Sequence, residues 1–138
     1  MKISASNIAS TLVELGIPAE ASHQYLVVAL ARVLGYLLPV PAAPVEHPAE
    51  FFQSSYGDSI NGALDALNER MPVDYGVVVD LSRKVWELRY GIVHPSLDQQ
   101  VWATLDKVLD KKYLGIEIDL FDPALSRLGN VIAAGVEQ

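Results

Sequence analysis

The sequence predicts an all-α bundle of about four main helices with short terminal elements. Three observations carry that reading. Apolar residues recur at helical spacing through most of the chain, and prolines and glycines interrupt it at intervals suited to helices. The composition, 51% apolar and 20% charged, is that of a folded globular protein. At 138 residues the chain reads as one domain, residues 1–138, long enough to bury a single core.

Taken in order, Ser4 or Ser6 caps a short helix to Glu14, which Gly16 and Pro18 terminate. A second helix starts near Pro18 or Ala21 and runs to Leu38. Its part Tyr25–Leu38 is the most membrane-like stretch of the chain. It has only 14 residues with Arg32 in the middle, whereas a span needs about 20 apolar residues. It therefore reads as a helix buried on most sides, not as a membrane segment. Four prolines between Pro39 and Pro48 make that segment an extended connector. A third helix covers about Ala49 to Arg70, with Ile60, Leu64, Leu67 and Met71 as its apolar stripe, Gly57 and Gly62 weakening its middle, and Pro72 at its end. The fourth spans roughly Asp74 to Tyr90, with Val78, Leu81, Val85, Leu88 and Ile92 on one face, although Val77-Val78-Val79 also suits a strand. Ser96 and Gln99 form a capping box for a helix to Lys112, whose stripe Leu97, Val101, Leu105, Val108 and Leu109 is expected to face the same core. Alternating Ile116, Glu117, Ile118, Asp119 and Leu120 suggest a short strand near 115–121, and Pro123 opens a last short helix.

Cysteine is absent, which excludes a disulfide scaffold, a thiol nucleophile and any cysteine-ligated metal, and points to a reducing compartment. The start, Met1 to Asn7, lacks a basic segment leading into an apolar one, so the expected location is cytoplasmic. The net charge of −7 disfavours broad, sequence-blind attraction to phosphate backbones but allows a local site for a few phosphates. Glycine-rich phosphate loops, serine elbows and histidine pairs at metal spacing are all missing, so no cofactor and no metal are expected. His23 reads as a partly buried structural histidine and His47 as a solvated one. Glu117, Asp119 and Asp122 read as the solvated face of the short strand, since they lack the glycine turn of a calcium loop.

One stretch carries candidate chemistry: Leu88-Arg89-Tyr90-Gly91-Ile92-Val93-His94-Pro95. Here the chain resembles the HEPN superfamily, small helical domains marked by an arginine, four to six residues and a histidine. Leu88 before the arginine, Ile92-Val93 before the histidine and the amphipathic helix that follows fit the same pattern. Tyr90 and Ser96 stand where such domains often have a polar residue and a tyrosine. The resemblance covers Ala21 to Lys112 in helix order and about eight residues in detail. It implies an RNA-binding or RNA-cleaving domain of a toxin–antitoxin or defence system, with Arg89 and His94 catalytic and the site formed across a homodimer. The unusually apolar Tyr25–Leu38 helix also favours a dimer.

The residue types suit that chemistry. Metal-independent RNA cleavage needs a base near the 2′-hydroxyl and a fixed cation on the phosphate. Histidine titrates near neutrality, and arginine offers a permanent charge with forked donors. Gly91 loosens the helix and Pro95 pushes His94 out of the α region, into the turn. A plainer role for the pair is structural, with Arg89 joined to an acidic neighbour such as Glu87 or Asp98 and His94 capping the helix before it. The alternative function is a non-enzymatic acidic interaction protein, such as an antitoxin, immunity protein or adaptor, that meets a basic protein partner.

Overall fold

Helix α1, Ala5–Glu14, ends because Gly16 adopts φ +68°, which a side chain would oppose. The Gly16 N–H then reaches the Val13 carbonyl at 3.0 Å and the Ile17 N–H reaches that of Leu12 at 3.2 Å. These two bonds close a Schellman motif, with Ile17 turned back onto the core. The computed structural model describes residues 3, 5–41, 45–68, 71, 73–91 and 118–135. Within them the chain forms four further helices: α2 (Ala19–Leu37), α3 (Pro48–Asn68), α4 (Tyr75–Gly91) and α5 (Pro123–Ala134).

The architecture is all-α, and no strand occurs among the described residues. α2 is central, packed on α4 along one side and on α5 along another, while α3 lies against α4 and α1 against α5. Its residues Leu26 to Ala31 and Val33 to Gly35 are all buried, which is why this stretch reads as nearly continuous apolar sequence. Side chains such as Leu30 and Leu34, fully buried here, contribute about 1.5–3 kcal/mol each relative to exposure. α2 and α4 cross unusually closely at Gly35: a Cβ there would lie 2.6 Å from Val85 Cβ and Cγ1 and 3.0 Å from the Ser82 carbonyl oxygen. Buried Ser82 suits the same crossing, its hydroxyl returning to the Val78 carbonyl at 2.7 Å.

α3 and α4 form an antiparallel pair, joined by aromatic packing at one end and by Tyr75 Oη donating to Asp65 Oδ1 at 2.7 Å at the other. The stripe Ile60, Leu64 and Leu67 is fully buried with Met71 partly so, and the helix runs unbroken through Gly57 and Gly62. Asp74 caps α4, accepting from the Val77 N–H at 3.2 Å, and Val77–Val79 is helical. Asp122 caps α5 ahead of Pro123 through the Ala124 N–H at 2.9 Å.

Two expectations are corrected. The strand near 115–121 does not form over its described part: 118–121 turns, with Asp119 accepting from Phe121 N–H at 2.9 Å and its carbonyl from Asp122 N–H at 3.1 Å. Asp119 and Asp122 therefore shape a turn and a helix cap, not a strand face. His23 is exposed, since it stands near the start of α2, ahead of the buried run that begins at Leu26. The helix expected from Leu97 to Lys112, and Ile92, Glu117 and His94, lie outside the described residues.

Candidate functional site: Arg89 at the end of α2

The buried face of α4 is Val78, Leu81, Ser82, Val85 and Trp86. One more turn along that face stands Arg89, at four residues from Val85 and eleven from Val78. The helix thus delivers a guanidinium onto a packed surface, at the point where α2 ends. That end is rich in acceptors, because the last carbonyls of a helix have no intrahelical partners and carry the negative pole of its dipole. Leu38 leaves the helix in extended geometry (φ −74°, ψ 130°), as a residue before proline must.

Arg89 Nη1 donates to the Gly35 carbonyl at 2.6 Å and to the Leu38 carbonyl at 3.2 Å. The neighbouring Pro39 carbonyl accepts from Trp86 Nε1 at 3.0 Å and from Tyr56 Oη at 2.6 Å. Trp86 is in turn stacked on Phe51 (ring centroids 5.9 Å apart, 16° between planes) and flanked by Phe52 and Tyr56. The Arg89 guanidinium carbon lies 5.4 Å from the centre of the Tyr36 ring, in cation–π range. Burial draws the Arg89 pKa below its ordinary value; the group remains charged at any pH the fold meets. Its Nε–H is buried with no hydrogen-bond partner. The arrangement is a fixed cation with one nitrogen spent on backbone carbonyls and a second donor left over in a low-dielectric setting.

Of the sequence-derived pair, the structure positions Arg89; His94 is outside the described residues, so the distance between them is not set. Glu87, a sequence-level candidate partner for Arg89, instead lies 3.7 Å from Arg83. His47 is exposed, 4.0 Å from Glu46. Among the described residues no group of three or more His, Asp or Glu side chains is placed to hold a metal, and no helix is long and apolar enough to cross a membrane. Gly35, Tyr36, Tyr56 and Trp86 were not singled out from the sequence. The available signal was positional: Arg89 continues the stripe that Val78, Ser82 and Val85 begin, which marks it as a packed arginine.

No protein-family model matches this chain, and neither a curated protein nor a solved structure is significantly similar to it.

Proposed function

We propose that this chain is a HEPN-like domain that binds single-stranded RNA and cleaves it without a metal. Arg89 holds the scissile phosphate and His94 acts as general base. The observation that supports the reading most is the immobilised guanidinium at the last turn of α4, five residues before His94. Ordering an arginine side chain costs up to about 2 kcal/mol, and here the fold has met that cost before any ligand arrives. A cation already oriented in a partly desolvated setting is what a developing phosphate dianion requires. In the reaction, His94 takes the 2′-hydroxyl proton and the 2′-oxygen bonds to phosphorus. The bond to the 5′-oxygen breaks, and that oxygen takes a proton from water. The products are a 2′,3′-cyclic phosphate and a 5′-hydroxyl end. A homodimer in the cytoplasm completes the reading.

The purified protein should therefore cleave a single-stranded RNA in excess chelator, leaving cyclic phosphate ends. His94→Ala should slow it by about 10²–10⁴-fold. A wild-type protein inert towards a broad panel of RNAs would overturn the proposal.

A second reading has an observation of its own. Glu46, Glu50 and Glu87 line one cleft of about 380 Å³ at the start of α3. That cleft, on a chain of net charge −7, suits a basic segment of a protein partner. It predicts no cleavage, and loss of partner binding on Glu50→Lys with Arg89 intact.

A further inference from the structure

Tyr36 belongs to two sites at once. One is the Arg89 clasp. The other is a groove of about 250 Å³ between α2 and α5 whose walls include Arg32, Val33, Tyr36, Leu37, Ser126 and Asn130. The two helices run in the same direction, since Tyr25 meets Asp122 near their starts and Arg32 meets Ser126 further along. They pack in ordinary contact at Gly129, where an added Cβ would sit 3.7 Å from Val33 Cγ2 without a clash.

The polar and apolar parts of the groove are separated. Arg32 Nη1 donates to Ser126 Oγ at 3.0 Å, which fixes a second guanidinium at the groove, with the Asn130 carboxamide one turn further along α5. Val33 and Leu37 supply apolar surface, and Leu37 is 41% exposed although it is a leucine on the central helix. Arg32 and Tyr36 are four residues apart and so share one face of α2. Arg89 lies over the Tyr36 ring and Arg32 lines the same groove as that ring, in a protein whose overall charge is strongly negative. The volume falls below the roughly 300–1,000 Å³ of drug-sized pockets, which suits one base or one sugar–phosphate unit.

We infer that this groove is a nucleotide subsite for single-stranded RNA, adjoining the scissile position at Arg89. Arg32, Ser126 and Asn130 contact the phosphate and sugar, and Leu37 covers a base edge. This inference rests on the ribonuclease reading for its direction along the strand. The chemistry of the groove stands by itself: an anion-binding rim beside an apolar floor, which is the combination single-stranded nucleic acid binding uses.

The test is fluorescence anisotropy with a labelled, fully 2′-O-methylated uridine hexamer, which cannot be cleaved by its own 2′-oxygen, and the full-length protein at low salt. Arg32→Gln should weaken binding about three- to tenfold and flatten the salt dependence by roughly the 0.7 log units per log salt of one single-strand phosphate contact. Arg127→Gln is the control, because that arginine is on α5 beside Glu14 and outside the groove. It should change binding less than twofold. Failure of wild type to bind, or equal effects of the two substitutions, would overturn the subsite. RNA cleavage by wild type with Arg32-insensitive binding would sink the subsite and leave the ribonuclease reading intact. Arg32-dependent binding without any cleavage would support the subsite and sink the ribonuclease reading.

Discussion

The close crossing of α2 on α4 at Gly35 gives a substitution whose sign can be worked out. Alanine normally stabilises a helix interior relative to glycine, by about 0.8–1.0 kcal/mol. At Gly35 the added Cβ would sit 2.6 Å from two carbons of Val85 and 3.0 Å from the Ser82 carbonyl oxygen. Carbon pairs prefer roughly 3.5–4.0 Å, so α2 and α4 would have to part by about 1 Å. Overpacking of this kind costs about 1–3 kcal/mol. Here it lies at the upper end, because two of the contacts are a branched Cβ and a backbone oxygen that cannot rotate away. The same displacement draws the Gly35 carbonyl from Arg89 Nη1, a bond of 2.6 Å. After the propensity gain is subtracted, Gly35→Ala should destabilise by about 2 kcal/mol. That corresponds to a Tm drop of roughly 6–10 °C in a domain of this size. Gly62→Ala is the matched control: it is in α3, exposed, with nothing within 4 Å of the new Cβ. It should stabilise by about 0.5–1 kcal/mol. Urea unfolding followed by circular dichroism measures both. If Gly35→Ala were as stable as wild type, the close crossing of α2 on α4 would be wrong, and with it the platform under Arg89.

Two further predictions follow from named contacts. Trp86→Phe removes the indole N–H from the Pro39 carbonyl and leaves a small void among Phe51, Phe52 and Tyr56, while Tyr56 keeps that carbonyl bonded. The cost should be about 1–3 kcal/mol in urea unfolding, and a variant as stable as wild type would contradict the packing. The Tyr25 hydroxyl, with help from the Ala124 N–H, holds the Asp122 carboxyl below its usual range. A folded-state pKa below the unfolded one stabilises fully above the unfolded value, near pH 4, and the benefit is lost as pH falls through the folded value. The stability gap between wild type and Asp122→Asn should therefore shrink on titration from pH 6 to pH 3; a gap constant with pH would refute the Tyr25–Asp122 link.

Much of the fold was legible because the signals that set it are local. Gly16, Pro18, Asp74 and Pro123 begin or end helices through their own backbone or side chain, and each acts where the sequence suggests. The run from Tyr25 to Leu38 is apolar on nearly all sides because α2 is covered on nearly all sides. The alternation near 115–121 misleads because Asp119 bonds its own following backbone, which makes a turn from a pattern that also fits a strand. The setting of Arg89 was hidden for a different reason. Its partners are the carbonyls of Gly35 and Leu38, 54 and 51 residues earlier, and a backbone carbonyl leaves no mark in a sequence. The Arg-x4-His spacing flagged the residue, while the helix end that receives it became visible only in three dimensions.

The central claim is that the guanidinium clasped at the end of α2 is the phosphate-binding cation of a ribonuclease. Arg89→Gln tests it most directly, since it keeps a polar side chain at that position but removes the charge and the forked donors. The measurement is the single-turnover cleavage rate of a single-stranded RNA in excess chelator, with circular dichroism confirming the fold. The account predicts cleavage by wild type and a rate about 10²–10³-fold lower for the folded variant. A folded Arg89→Gln that cleaves as fast as wild type would contradict it.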